Sequence, residues 1–328
     1  MDPAVSSVLL GEVLPRVVTI AVAIAGGVAF ANALVAFGVI RYIAALSKPL
    51  TGPANLPDEV GGAILTTAAS TTAGYGMLAE YRDSGLLDDR ATLVAVTINT
   101  FFGFVQHIFT FYAPVLIPIL GLRVGLLYVG TRAGISLAIT ITGVIAGAFL
   151  LSSRNINPEA MSEIDSDARA DGGDDTRTVS EKLLDAGSGG LEKTREILPR
   201  LTVVYTLVVL GTTYYDLEAL TGGAADPLAA LTGLPSAAVP VIVVYAFDTT
   251  SGAVTIAPLI KDGTFTAQTA VSVMLIGGIV SFTVSTFKRS VPFQYGIWGA
   301  EFGTKVIIVN TSLKILWIAI ALAGLLAL

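Results

Sequence analysis

Two short clusters of hydroxyl residues and glycine lie inside apolar stretches of the sequence. The first reads Ala-Ser-Thr-Thr-Ala-Gly-Tyr over residues 69–75, and the second reads Phe-Asp-Thr-Thr-Ser-Gly-Ala over residues 247–253. A break in an apolar helix at such a cluster exposes backbone groups and the positive N-terminal end of the returning half-helix. These groups can hold a polar solute or an anion, and the freed carbonyls can coordinate a cation.

The polar and glycine positions of both clusters, with one asparagine from a following helix, are therefore the predicted substrate- or ion-binding residues. They are Ser70, Thr71, Thr72, Gly74, Asn99, Asp248, Thr249, Thr250, Ser251 and Gly252. A structural interpretation competes with this one, because Ser and Thr cap helices and small residues allow close helix packing. The recurrence of the cluster in both halves of the chain favours a transport site.

Asp248 is the sharpest single candidate among them. A carboxylate inside an apolar stretch costs several kcal/mol unless it is paired, protonated or facing water. The equivalent residue of the first cluster is Ser70, so the repeat itself does not require a charge here. Coupling or substrate binding and helix capping in a wet crevice both remain open for Asp248.

The composition predicts an all-α integral membrane protein. Hydrophobic residues make up 53% of the 328 residues and charged residues 13%. Apolar runs of about 20 residues recur, which is the length needed to cross roughly 30 Å of hydrocarbon. The expected location is the cell membrane, with the lipid bilayer as partner, and a homo-oligomer is compatible with the sequence.

The composition also excludes several kinds of chemistry. The chain has no cysteine and a single histidine, His107, which removes disulfides, thiolate nucleophiles and Cys- or His-rich metal sites. No HExxH, GxSxG or carboxylate cluster lies in the apolar segments, so we predict neither an enzyme nor a resident cofactor. Of the 25 acidic residues, 11 lie between Glu159 and Glu196, which argues against a nucleic-acid partner. An acidic, cysteine-free composition suits a halophilic archaeon.

The sequence repeats itself with a spacing of 178 residues. Pairs that coincide at this spacing include Pro49 with Pro227, Pro57 with Pro235, Thr71 with Thr249, Thr72 with Thr250, Gly74 with Gly252, Gly85 with Gly263 and Pro114 with Pro292. Their collinear order indicates an internal duplication, which is the signature of many transporter folds.

Each half is predicted to contain a long helix, a proline-rich linker, an interrupted stretch, a second helix, an aromatic connector with proline and a last helix. The predicted ranges are 17–40, 58–80, 90–111 and 127–151 in the first half, and 201–217, 236–260, 268–287 and 306–326 in the second. The polar segment between the halves is predicted to be partly disordered, with a helical stretch at 179–185. The boundaries are a first membrane repeat at 1–152, an acidic linker at 153–195 and a second membrane repeat at 196–328, the two repeats forming one membrane domain.

The distribution of Lys and Arg distinguishes between two membrane topologies. If the interrupted stretches are re-entrant hairpins, each half crosses the membrane three times and the halves are inverted; 14 basic residues then lie on one side and 4 on the other. If the stretches are full spans, the same charges split 11 to 7. Because basic residues accumulate in the cytoplasm, we predict two inverted-topology repeats, each with three transmembrane helices and one re-entrant helical hairpin. Both termini are then outside and the acidic linker is cytoplasmic, and the two hairpin tips are predicted to meet near the middle of the bilayer.

The sequence resembles the nucleoside-recognition (Gate) domain proteins of bacteria and archaea over residues 46–114 and 224–292. In each half this range holds the proline-containing linker, the Thr-Thr-x-Gly hairpin and the following helix. This group is similar to the spore-maturation membrane proteins and the concentrative nucleoside transporters. The resemblance implies a gate or permeation element built on the Thr-Thr-x-Gly positions of both clusters, and does not fix nucleosides as the substrate.

We therefore expect a secondary transporter or permease for a small polar or ionic solute, nucleosides included. No Walker motif is present, so an ion gradient, Na+ or H+, would supply the energy. The alternative is a membrane scaffold or assembly protein that binds partners through its cytoplasmic linker.

Overall fold

The computed structural model describes residues 3–36, 51–157, 178–214, 233–286 and 290–327. These residues form thirteen α-helices and no β-strand. The helices are α1 Pro3–Val8, α2 Leu14–Ala36, α3 Asp58–Ala69, α4 Thr71–Asp83, α5 Asp89–Ile98, α6 Thr100–His107, α7 Ile117–Leu120, α8 Leu122–Leu150, α9 Val179–Tyr214, α10 Ala238–Phe247, α11 Thr249–Lys261, α12 Ala267–Ser285 and α13 Val291–Ala327. Two π-helical segments, Leu9–Val13 and Ile108–Leu116, join α1 to α2 and α6 to α7.

Four helical stretches are long and apolar enough to cross a membrane. Within the described part of the chain they are Val5–Gly26, Asp89–Leu120, Leu122–Leu150 and Val291–Ala327. The prediction of an all-α membrane protein is thus confirmed. The apolar part of α12, Ala267–Phe282, is shorter, and the predicted ends of the first helix of each half lie outside the described residues.

Each of the two clusters is a break at which the chain folds back on itself. Helix α3 ends at Ser70, whose backbone is extended, and α4 begins at Thr71. The two helices lie side by side. The Tyr81 hydroxyl near the end of α4 donates a hydrogen bond to the Glu59 carbonyl oxygen at the start of α3. Helices α10 and α11 are separated in the same way by an extended residue, Asp248, and pack on each other. We call α3–α4 the first hairpin and α10–α11 the second; residues 69–75 and 247–253 are their tips.

The duplication extends to the backbone conformation. Six described residues have a positive φ, and they form three pairs at the same spacing of 178 residues: Asn55 with Gly233, Gly85 with Gly263 and Gly121 with Gly299. Gly299 interrupts α13 with φ 73°, as Gly121, with φ 82°, separates α7 from α8. The two halves therefore turn at the same places, which the sequence match alone does not require.

The bases of the two hairpins lie at opposite ends of α8. Asn155, just beyond the C-terminal end of α8, donates to Asp88 at the base of the first hairpin, at 2.7 Å. Arg123, at the N-terminal end of α8, lines a cavity together with Ile260 and Gly263 at the base of the second hairpin. Because α8 has 29 residues, these ends are about 44 Å apart. The two bases are thus separated by the length of α8.

Each hairpin also packs against the proline-containing connector of the other half. Tyr75 of the first hairpin contacts Phe293 edge to face, with ring centroids 5.5 Å apart, and lies 6.1 Å from the Trp298 ring. Helix α11 of the second hairpin packs against α7 and the π-helical segment that contains Pro114. The two halves are therefore interlocked.

Two features differ from the sequence prediction. The connector after the second helix of the first half is helical, because the π-helical segment accommodates Pro114 without ending the helix. The helical stretch expected at 179–185 continues without a break into the second half as α9, Val179–Tyr214, so a helix crosses the predicted boundary at residue 196. The predicted disorder of the linker falls mostly on residues outside the described part.

Candidate functional site

The first residue of each tip caps the returning helix. The Ser70 hydroxyl accepts a hydrogen bond from the Ala73 amide at 3.3 Å, and the Asp248 carboxylate accepts one from the Ser251 amide at 2.6 Å. A side-chain oxygen at this position satisfies one of the amides that a helix N-terminus leaves free. Capping is therefore one function of both residues, and it explains why a polar residue stands at each break.

Two adjoining cavities lie at the first tip. The inner cavity has a volume of about 250 Å³ and is only partly enclosed. It is lined by Thr71, Tyr75, Asn99, Thr100, Gly103, Phe104, His107, Tyr112, Arg132, Ser136, Phe293, Gln294, Asn310 and Lys314. These residues come from both halves of the chain, since α13 contributes the last four.

The outer cavity is larger, about 580 Å³, and more open. It shares Thr71, His107, Phe293 and Gln294 with the inner cavity and is also lined by Ser70 and Thr72, among others. The two cavities therefore adjoin at the tip, and Thr71 is the residue of the first hairpin that lines both.

Unpaired polar atoms converge on the inner cavity. Among the described residues, five buried side-chain atoms have no hydrogen-bond partner: Thr71 Oγ1, Asn99 Oδ1, Arg132 Nε, Asn310 Oδ1 and Ser272 Oγ. The first four belong to residues that line this cavity. A buried polar atom without a partner costs about 1–3 kcal/mol, so four of them around one space indicate a site that holds water or a polar ligand.

Asn99 connects the first hairpin to the cavity. It lies between α5 and α6 and is 1% exposed. Its side-chain amide nitrogen donates to the Thr67 hydroxyl at 2.9 Å, and that hydroxyl donates to the Ala63 carbonyl oxygen. The nitrogen of Asn99 thus holds the hairpin, which leaves its oxygen for the cavity.

In the second half, an aromatic ring packed against a glycine takes the place of the hydrogen-bonded pair Thr67 and Asn99. The positions equivalent to Thr67 and Asn99 are Tyr245 and Gly277, and the tyrosine ring fills the space beside the glycine. The Tyr245 hydroxyl is hydrogen-bonded to that of Tyr128 in α8. The second hairpin is therefore closed by an aromatic side chain where the first one is polar.

Two basic side chains line the inner cavity, and sequence analysis did not include them in the site. Arg132 of α8 and Lys314 of α13 are both partly buried. The Arg132 guanidinium lies beside the hydroxyls of Tyr112, Tyr128 and Tyr245 and has Tyr112 as hydrogen-bond partner. Within the part of the chain that the structure describes, neither aspartate nor glutamate lines this cavity.

The position of Arg132 changes the count of basic residues on the two sides of the membrane. The predicted partition counted Arg132 among the four basic residues on the outer side, but Arg132 lies well inside α8; without it the predicted partition is 14 to 3. A cation inside an apolar span is a functional candidate by default, so this signal was present in the sequence.

The predicted binding residues are divided between two places. Ser70, Thr71, Thr72 and Asn99 line the cavities, and Gly74 lets α3 and α4 approach each other. In the second tip, Thr250, Ser251 and Gly252 are buried, and Asp248 and Thr249 are partly buried. Neither cavity includes a residue of the second tip, and neither helix of the first hairpin packs substantially on a helix of the second.

Fold and cavity together define an α-helical membrane protein with a polar chamber at a helix break. Two proteins of the archaeon Methanocaldococcus jannaschii are similar to this chain. The uncharacterized protein MJ0880 is 24% identical over 310 residues, covering 93% of this chain and 96% of its own length. The uncharacterized protein MJ0871 is 22% identical over 300 residues, covering 90% and 88%. No family model matches the sequence, and no solved structure matches it.

The capping role of Asp248 predicts different outcomes for two substitutions. Asp248→Asn should leave the stability of the protein unchanged within about 0.5 kcal/mol, because asparagine caps helices as well as aspartate does. Asp248→Ala should lower it by about 1 kcal/mol. Thermal unfolding of both variants in detergent measures the difference. Equal unfolding temperatures for the two variants would contradict the capping role.

Proposed function

We propose that this protein is a secondary transporter or permease for a small polar or ionic solute, with the inner cavity as its binding site. The observation that carries the proposal is the set of four unpaired polar atoms around that cavity. Such a chamber inside a membrane domain is expensive unless it serves a solute or water. Residues from both halves line it, as a site between two repeats requires.

The proposed architecture is a pair of inverted repeats with one re-entrant hairpin each. Helices α3 and α4 have 12 and 13 residues, about 18–20 Å, which is too short to cross 30 Å of hydrocarbon. The position of the two hairpin bases at opposite ends of α8 also supports it. In this arrangement the acidic linker is cytoplasmic, both termini are outside, and the first hairpin enters from the cytoplasm.

Three ion pairs agree with the proposed sides. Asp89 lies 2.9 Å from Arg82 and 3.0 Å from Lys305, so residues assigned to the cytoplasmic side are grouped together. Lys261 lies 3.9 Å from Glu12, which groups residues assigned to the outside. The pairs themselves are partly exposed and contribute little stability; they indicate which loops share a side.

The mechanism that fits this geometry is a rearrangement at the first hairpin, driven by a Na+ or H+ gradient. Thr71 lines both cavities, so a shift of its tip would open or close the passage between them. The resemblance of the tips to nucleoside-recognition (Gate) domains supports a gating role.

Uptake by reconstituted protein tests the proposal. Purified protein is first screened by thermal shift against uridine, adenine, succinate, inorganic phosphate and divalent metal ions, with and without sodium. A ligand that binds only the folded state raises the unfolding temperature by mass action. Compounds that bind are then offered to proteoliposomes with an imposed Na+ or H+ gradient, and we expect concentrative uptake of at least one of them.

Thr71→Val should reduce the initial uptake rate about fivefold, because it removes one hydroxyl worth about 1 kcal/mol from the cavity. Thr110→Val is the matched control, since Thr110 is exposed and its hydroxyl bonds only the Gln106 carbonyl oxygen of its own helix. Equal uptake by both variants would remove the cavity from the pathway. A protein that binds and transports none of the compounds would favour a membrane scaffold.

A further inference from the structure

The charged residues of the inner cavity indicate which class of solute it binds. This inference rests on the proposed function. Arg132 and Lys314 both line the cavity, and no carboxylate of the described residues does. No carboxylate among the described residues forms a salt bridge with either of them. We infer that the inner cavity is an anion-binding site and that the solute carries a carboxylate or phosphate group held between Arg132 and Lys314.

The cost of burying charge leads to this inference. A cation in the apolar part of a membrane is rare, and it pairs with an opposite charge, a carbonyl or water. Arg132 has tyrosine hydroxyls beside it, which are neutral, and its Nε atom has no partner. Two like charges on one small chamber repel each other, so an anion in the chamber relieves both penalties at once.

The remaining lining residues indicate what kind of anion fits. The guanidinium group binds the two oxygens of a carboxylate or phosphate in one plane, whereas a lysine ammonium acts as a point charge. Tyr75, Phe104, Tyr112 and Phe293 add aromatic surface, and the unpaired oxygens of Asn99 and Asn310 accept hydrogen bonds. A small organic anion with a donor group and an apolar part therefore matches the site better than a bare inorganic ion.

Thermal shift with defined probes tests the inference. The wild-type protein is titrated with inorganic phosphate, acetate and succinate as anions, uridine as a neutral probe and choline as a cation, all at constant ionic strength set with sodium chloride. We expect a dose-dependent rise in unfolding temperature with at least one anion. Arg132→Gln and Lys314→Gln should each raise the apparent dissociation constant of that anion about 10- to 100-fold, the effect of losing a charged hydrogen bond.

Two further variants separate charge from folding. Arg132→Lys keeps the charge and should retain part of the binding even where Arg132→Gln is unstable. Arg123→Gln, in the same helix but exposed and outside the inner cavity, should bind as the wild type does. Equal anion shifts in the wild type and in both Gln variants would overturn the inference, as would a wild type that no anion stabilises.

Uptake by proteoliposomes distinguishes a failure of the anion site from a failure of the transport proposal. If uridine is taken up equally by the wild type, Arg132→Gln and Lys314→Gln, transport stands and the anion site is wrong. If an anion binds in a manner that depends on Arg132 but no solute is taken up, the anion site stands and transport is wrong.

Discussion

Gly74→Ala is expected to destabilise the protein by about 1–3 kcal/mol or more, the usual cost of overpacking. A Cβ atom on Gly74 would lie 1.8 Å from Thr67 Oγ1, 2.6 Å from the Thr67 amide nitrogen and 2.7 Å from the Ala63 carbonyl oxygen. Two of these are backbone atoms of α3, so rotation of a side chain cannot relieve the contact. The two helices of the first hairpin must separate, which also breaks the support that Thr67 gives to Asn99. Thermal unfolding in detergent measures the loss.

Gly76→Ala is the matched control for this prediction. Gly76 lies in the same helix, is exposed, and has no atom within 4 Å of the position that a Cβ would take. An alanine there should leave the stability unchanged or raise it by about 0.5–1 kcal/mol, since glycine is a poor helix former. Equal unfolding temperatures for the two variants would mean that α3 and α4 do not pack as closely as the structure has them.

Much of the local structure could be predicted from the sequence. The breaks at Ser70 and Asp248 follow from hydroxyl residues and glycine in otherwise apolar stretches, and both fall where predicted. The spacing of 178 residues reappears in the backbone, with Gly121 and Gly299 at equivalent positions. These features are local or depend on comparison of the chain with itself, which is why the sequence contains them.

The composition of the site could be predicted only in part. The tip residues Thr71 and Thr72 were identified from their motif, whereas Arg132, Lys314 and Gln294 were not. Arg132 was counted with the basic residues on the outer side, because a sequence-based charge count assumes that basic residues lie outside the apolar core. Which helix faces bring these three side chains together depends on tertiary packing, which no periodicity reveals.

Unequal packing of the two hairpins was also beyond sequence reasoning. The sequence predicts two tips that meet and that differ at Ser70 and Asp248, but it does not predict that Tyr245 fills the second hairpin at the position where the first has Thr67. The tyrosine reaches Tyr128 and the surroundings of Arg132. The second hairpin thus approaches the inner cavity through a side chain of α10 and not through its tip residues.

A second prediction with a large expected effect concerns the side of the membrane on which the base of each hairpin lies. Asp83 and Lys261 occupy equivalent positions at the ends of α4 and α11, and their side chains are 73% and 65% exposed. In inverted repeats these two positions face opposite sides of the membrane; in parallel repeats they face the same side. Because the chain has no cysteine, Asp83→Cys and Lys261→Cys each introduce a single reactive thiol.

Labelling of these two variants with a membrane-impermeant maleimide in intact cells tests the opposed hairpins most directly. Labelling after permeabilisation gives the total reactive thiol for each variant and controls for its accessibility. We predict that Lys261→Cys is labelled in intact cells and that Asp83→Cys is labelled only after permeabilisation. Labelling of both variants from the same side would contradict the inverted repeats.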